Sequence, residues 1–355
     1  MSSLEKRRSS VPDLTIEEIL DEEKSRYKRK GWGFTMSVLI TLSYFFIFPK
    51  ILMQLYPTEI KNEGQFQYFT FLILHSGGFI GFNLMMYVIY HLELPFFERY
   101  KVNDRPWPWN NKNEDWNGML YKTIKQLLFN HLLILPIVSA ESLIRGESNF
   151  RCDRETFPDS FEIISQIVIF MISEDFCFYW AHRFLHWDYI YPYIHKRHHL
   201  WINSISIASE YAHPIEFIVS NVLTTNIAPL IFNKRTHILT MYIWVILRLG
   251  ETTDGHCGYE FSWSPYRLIP LSGSSEFHNF HHLNYKGNYA SFFSVWDRVL
   301  KTVNAHYATF IKKKVELCKD YDENKKRIKK EYDDKIKKLK DNYVKDDMDV
   351  KNKMD

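Results

Sequence analysis

FEIISQIVIFMISEDFCFYWAHRFLH, residues 161–186, runs apolar for half its length, meets two adjacent acids at Glu174 and Asp175, and ends on His182 and His186. A helix that crosses a bilayer needs about 20 mostly apolar residues, and Phe161–Ala181 is read as one such span. Residues four apart lie on the same helix face, so His182 and His186 form a two-imidazole face at the end of the span. Glu174 and Asp175 stand about two turns before His182. Acids within an apolar span are expensive and default to function.

The same residue type returns downstream in a pattern. His195-Lys196-Arg197-His198-His199 and His278-Asn279-Phe280-His281-His282 are both HxxHH, and His213 and His256 stand singly between them. Ten of the fifteen histidines fall in these five places. Residues three and four apart share a helix face, so each HxxHH presents up to three imidazoles to one side. His182, His186, His195, His198, His199, His278, His281 and His282 are enough for two first-row metals at about four ligands each. His213 and His256 would bring each metal toward five. Imidazole suits iron, copper, nickel and zinc, so ligand type alone leaves the metal open. The interleaved acids Glu174, Asp175, Glu210, Glu216 and Asp254 are candidates to offset the charge of a dimetal site and orient ring N–H groups. His75, His91, His131, His237 and His306 belong to no cluster and are read as ordinary.

Upstream, Gly31–Pro49 is uncharged and the apolar run resumes after Lys50 to Tyr56. Tyr68–Leu92 is a second uncharged stretch, and Met119–Ala140 becomes strongly apolar after Lys122 and Lys125. Phe217–Phe232 and Ile238–Leu249, split by Asn233-Lys234-Arg235, look too short to span; they predict a tight hairpin or helices lying in the interface. Lys24, Arg26, Lys28, Arg29 and Lys30 precede the first span and predict a cytosolic N-terminus. The Pro57–Gln65 turn and Gly146–Ser160 are then lumenal, and Glu93–Asn117 and the histidine boxes cytosolic. The expected fold is an all-α integral membrane protein with about four transmembrane helices in two hairpins. A cytosolic helical cap carries the histidine-rich dimetal site. Residues 1–30 are read as a cytosolic tail, 31–160 as the membrane hairpins, 161–310 as the catalytic region and 311–355 as a charged tail.

Other features narrow the chemistry. A net charge of +3 over 355 residues gives no push toward nucleic acid. Cys152, Cys177, Cys257 and Cys318 are scattered, with no CxxC and no disulfide-like spacing. The first 30 residues are charged and lack the apolar core of a cleavable signal peptide. No GxGxxG, Walker loop or haem-type cysteine motif appears, so electrons for a redox reaction have to arrive from outside. A histidine-rich transporter would carry its histidines on facing spans at mid-bilayer rather than at their ends. The last 45 residues hold 16 Lys/Arg and 12 Asp/Glu and read as a solvated helix or disordered tail. They close on Lys351-Asn352-Lys353-Met354-Asp355, which has the form of a KxKxx retrieval signal for the endoplasmic reticulum.

The box order HxxxH, HxxHH, HxxHH resembles the fatty acid hydroxylase superfamily of integral membrane di-iron enzymes. Longer strings resemble its methylsterol monooxygenase branch. Glu174-Asp175 followed by Phe178-Tyr179-Trp180-Ala181-His182-Arg183-Phe184-Leu185-His186 is similar to that branch's ED…FYW-x-HR-x-LH, and Tyr193–His199 to its Y-x-HK-x-HH. Ser209–Glu216 resembles A-EYAHP-x-E with Ser209 in place of Ala, and Asp254–Phe261 resembles D-x-HSGYEF with Cys257 in place of Ser. His278–His282, Asn288-Tyr289-Ala290 and Trp296-Asp297 resemble HD-x-HH…GNYA…WD with Asn279 in place of Asp. The similarity covers about residues 160–310.

This resemblance implies a non-haem centre of two iron ions held by the eight box histidines with His213 and His256. Glu174, Asp175, Glu210 and Asp254 are the candidate catalytic carboxylates. It implies O2 as cosubstrate and NAD(P)H-derived electrons delivered by cytochrome b5 and its reductase. The reaction implied is oxidation of the C-4 methyl of a 4-methyl or 4,4-dimethyl sterol through alcohol and aldehyde to a carboxylate, which a separate sterol decarboxylase removes. Sterol C-5 desaturases and fatty acid or sphingolipid hydroxylases share the three boxes, differ around the single histidines, and are the alternative reading. The apolar substrate predicts a pocket between the spans, lined by aromatics such as Trp180, Tyr211, Tyr259 and Phe261.

Overall fold

The computed structural model describes residues 31–102, 105–111 and 115–351. The basic residues 24–30 and all of the KxKxx signal after Lys351 lie outside them. Packing divides the chain between 307 and 308. Residues 29–307 form one unit, and the other takes in the charged tail, which holds most of the helix Ala305–Lys351. Among the described residues the fold is helical, with isolated bridges such as Ser272 to Phe293 in place of strands.

Gly31–Phe46 (α1) and Phe48–Leu55 (α2) make one apolar run. Glu63–Leu92 (α3) starts where the Asn62 side chain accepts from the Gln65 amide at 2.8 Å, and ends on Glu93 in the left-handed region. Trp116–Phe129 (α4) is capped by Asp115 and passes through a π turn at Asn130–Ile134 into Leu135–Ser139 and Glu141–Arg145. Pro136 cannot donate to the carbonyl four residues back, and such a gap favours local widening of the helix. Leu132 and Ile73 are 71% and 68% exposed. Large apolar side chains facing outward along whole helices are what a lipid solvent permits and water does not.

Four runs are long and apolar enough to cross a bilayer: Gly31–Leu55, Glu63–Leu92, Trp116–Arg145 and Pro214–Arg235. The count matches the expectation and the fourth member does not. The expected fourth span lies in Ser160–Leu185 (α5), which buries Ile163, Ile167, Phe170, Glu174, Asp175 and Tyr179 inside the protein. Phe217–Phe232, expected to be too short, is lengthened at both ends. Pro214 starts the helix, a π turn covers Phe217–Leu223, Thr224–Phe232 (α6) follows, and a 3-10 turn adds Asn233–Arg235. Ile238–His256 (α7) is not interfacial either: Leu239, Ile243 and Trp244 are fully buried beside Phe170 and Phe79 in the main apolar core. Together α5 and α7 carry His182 and His256 to the same end of that core.

The third box sits on Ser275–Asn284 (α8), capped by the Ser274 hydroxyl, which accepts from the Phe277 amide at 3.1 Å. Just before it, the Gly273 amide donates to the Phe292 carbonyl at 2.9 Å. A Cβ on Gly273 would stand 2.2 Å from the Ser291 carbonyl oxygen. We therefore expect Gly273→Ala to destabilise the protein by about 1–3 kcal/mol through overpacking. Gly255 lies in helix α7, and a Cβ added there would meet nothing within 4 Å. It should tolerate alanine or gain up to ~1 kcal/mol. Thermal unfolding of both variants in detergent checks this; equal melting temperatures would remove the close approach at Gly273 from the account.

Candidate metal centre

The box histidines come from α5, the turn His195–Leu200, the end of α7 and α8. Their rings converge as two groups. His182, His186, His195, His199 and His281 form one, and His198, His256, His278 and His282 the other. Within each group every pair of donor atoms lies within 4.8 Å. In the first group Nε2 of His195 is 3.1 Å from Nε2 of both His182 and His199, and His186 stands 3.1 Å from His281. In the second, Nε2 of His256 is 2.9 Å from that of His278 and 3.2 Å from that of His198, and His278 is 3.1 Å from His282.

The outer ring nitrogens decide what those contacts mean. Nδ1–H of His182 donates to the Tyr289 carbonyl at 2.8 Å, that of His281 to the Gly287 carbonyl at 2.7 Å, and that of His256 to the Thr252 carbonyl at 2.7 Å. His195 Nδ1 donates to Glu216 Oε1 at 2.7 Å. A carbonyl has no proton to give, so these rings carry theirs on Nδ1 and, when neutral, turn bare Nε2 lone pairs inward. Burial keeps them neutral: it lowers His195, His199, His278, His281 and His282 well below the ordinary imidazole range and His198 to about 4. His182 and His195 then face each other through lone pairs at 3.1 Å, an arrangement that repels unless a cation lies between them. The donor set therefore fits two metal ions, with five and four nitrogens available, and the outer acceptors are those that orient metal-bound imidazoles.

The structure places the remaining sequence candidates elsewhere. His256 joins the second group. His213 does not reach either; it is part-exposed, and its Nδ1 accepts from the Ile215 amide at the start of the fourth span. Glu174 accepts from Arg248 Nε at 2.7 Å, and Arg248 also donates to Glu251 at 2.6 Å. Asp175 accepts from the Phe293 amide at 2.9 Å and so anchors the segment behind the third box. Asp254 is paired with Arg267 at 2.7 Å. Glu210 meets His131 and His75 instead of a box histidine. Among the described residues Glu216 is the carboxylate that hydrogen-bonds a box imidazole.

Residues 287–289 carry a role that sequence reasoning missed. They supply the carbonyls that orient His281 and His182. Gly287 and Asn288 have φ of 81° and 58°. Asp297 accepts from the Tyr289 and Ala290 amides at 3.0 and 2.8 Å, fixing that loop. The signal was present as Asn288-Tyr289-Ala290 and Trp296-Asp297, but a carbonyl ligand-orienter leaves no mark on residue type. The expected aromatic pocket is also displaced. Tyr211, Tyr259 and Phe261 are packed in a second apolar cluster with Tyr90, Trp107 and Trp201, and Trp180 faces outward. A cavity of ≈ 380 Å³ lies instead between the spans, with Tyr68, Phe71, Val222, Leu230, Met241 and Tyr242 in its wall.

The fatty acid hydroxylase family pattern matches residues 167–302, which includes every histidine of both groups. Methylsterol monooxygenase 1 of Danio rerio is 34% identical over 256 residues, covering 70% of this chain and 84% of that protein. The Gallus gallus methylsterol monooxygenase 1 is 35% identical, over 59% of this chain and 68% of its own. A C-4 methylsterol oxidase of Schizosaccharomyces pombe is 33% identical, over 66% and 76%. No solved structure matches the chain. With the two imidazole groups lying inside the matched stretch and the similarity running over most of both chains, this protein belongs to the methylsterol monooxygenase family of the fatty acid hydroxylase superfamily.

Proposed function

We propose that the protein is a non-haem di-iron monooxygenase of the endoplasmic reticulum membrane that oxidises the C-4 methyl group of 4-methyl or 4,4-dimethyl sterols. The observation that carries this reading is the pair of buried all-imidazole groups beside four membrane-capable helices. The relatives' names, monooxygenase and C-4 methylsterol oxidase, supply the reaction class and substrate. An iron pair, when bound, supplies dioxygen activation and the oxidising power needed for an unactivated C–H bond. His182, His186, His195, His199 and His281 hold one ion; His198, His256, His278 and His282 hold the other.

The chain's own residues prepare that site. The Tyr289, Gly287 and Thr252 carbonyls and Glu216 keep the rings aimed, so no reorganisation is needed when metal enters. Burial of the rings excludes bulk water. Each oxidation of this class consumes O2, two electrons and two protons; the methyl-to-alcohol and aldehyde-to-carboxylate steps release one water, and the alcohol-to-aldehyde step releases two. The electrons come from NAD(P)H through cytochrome b5 and its reductase. The carboxylate product passes to a separate sterol decarboxylase.

Replacing His198 or His281 with alanine should lower iron content and reduce 4-methyl sterol turnover at least ~100-fold, while the protein still inserts. Glu216→Gln should fold and weaken metal binding about 10–100-fold, as expected for loss of a carboxylate that orients a ligand. Iron analysis and turnover of the purified variants check both; full turnover by either alanine variant would remove that residue from the ligand set.

Substrate class is tested by sterol profiles. Cells depleted of the protein should accumulate 4-methyl or 4,4-dimethyl sterols, and the chain should rescue a strain lacking C-4 demethylation. A C-5 saturated sterol or a non-hydroxylated lipid accumulating instead would favour the desaturase or fatty acid or sphingolipid hydroxylase reading.

A further inference from the structure

His75, His131 and Glu210 meet inside the membrane-spanning part of the protein. The first two lie on facing spans and the third on the 3-10 turn Ser206–Glu210. Their donor atoms all lie within 4.8 Å of one another. Glu210 Oε2 is 2.7 Å from His131 Nε2, and Oε1 is 3.6 Å from His75 Nε2. The side chains are 10%, 9% and 2% exposed for His75, His131 and Glu210. Phe71, Phe79 and Phe217 pack around the two rings.

The surroundings aim these groups at one point. The π turn Asn130–Ile134 carries His131, and Asn130 next to it donates to the Ala212 carbonyl at 3.0 Å, which draws the turn against the segment of Glu210. Ser76 Oγ is 2.9 Å from His131 Nδ1. This contact holds the ring with Nε2 turned toward Glu210. His75 Nδ1 is buried without a hydrogen-bond partner among the described residues. A cavity of ≈ 20 Å³, room for one water-sized occupant, has His75 and Glu210 in its wall.

An ionised carboxylate in such a place needs a compensating cation. Arg248 also lines the cavity, but it already lies between Glu174 and Glu251. Glu210 is thus left to the two imidazoles for its compensation, which is the place a divalent ion between the three groups would take. Two imidazoles, one carboxylate and a water form a tetrahedral zinc-type donor set. Bonds of about 2.0–2.2 Å put such donors roughly 3.4 Å apart, so His131 and Glu210 would part by less than an ångström.

We propose that His75, His131 and Glu210 form a third metal site, separate from the two imidazole groups. It takes a first-row divalent cation, zinc by preference, and ties the spans Glu63–Leu92 and Trp116–Arg145 to the turn carrying Glu210. Elemental analysis of the full-length protein, purified in detergent and exchanged free of loose metal, tests this. The wild type should hold about three first-row ions per chain. His131→Gln should lose one and keep two, and the double variant His186→Ala/His198→Ala should keep one zinc. A wild type with no zinc beyond its iron overturns the proposal, as does a His131→Gln count equal to wild type. If His131→Gln does not fold, the wild-type count and the zinc retained by the double variant still decide. A wild type with one zinc and no iron would leave this site standing and defeat the di-iron reading instead.

Discussion

The structure turns on the mutual repulsion of imidazole lone pairs. Nine rings are brought from four parts of the chain to Nε2 separations of 2.9–3.2 Å for the closest pairs. Four of them carry the proton on the outer nitrogen, because carbonyls or Glu216 accept it there. Such a set, with its ring nitrogens gathered at two points, is suited to holding cations. The α5–α7 core, the capped start of α8 and the Asp297-braced loop all serve to hold these nitrogens where they would not otherwise gather.

The apolar and polar halves of the molecule are coupled through the same helices. Helix α5 buries Phe170 in the main core, pairs Glu174 with Arg248 of α7 through a 2.7 Å contact, and delivers His182 at its end. Asp175 reaches across to the Phe293 amide. The two acids thus brace α5 against α7 and against the segment following the third box, which sets the rotation of the helices that carry His182 and His256. A buried ion pair contributes little net stability when compared with apolar packing, but breaking one half leaves a charge without a partner. That asymmetry makes Glu174 and Arg248 sensitive positions without any contact to the metals.

Much of the site was legible in the sequence because imidazole spacing is a strong code. Two HxxHH and one HxxxH named eight of the nine converging rings, and the single His256 between them was read as a further ligand. His213 lies apart from both groups: it precedes Pro214 at a helix start, where its ring caps the Ile215 amide. The membrane reading erred at its fourth span. Hydropathy registered the apolar residues of α5 but not that one face of it, with Ile163, Ile167, Phe170 and Tyr179, packs into the protein, and it undercounted Pro214–Arg235 because π and 3-10 turns lengthen the helix beyond its apolar run. His75 and His131 were passed over because they are 56 residues apart in sequence and no local spacing links them. Only the packing of two spans brings them to Glu210.

X-ray absorption at the iron K-edge of the purified enzyme tests the central claim most directly. Iron held by the two imidazole groups gives a first shell of nitrogen and oxygen only, with the outer-shell scattering of several imidazoles. A sulfur shell, a porphyrin signature, or iron bound by one or two histidines with no metal neighbour would contradict it.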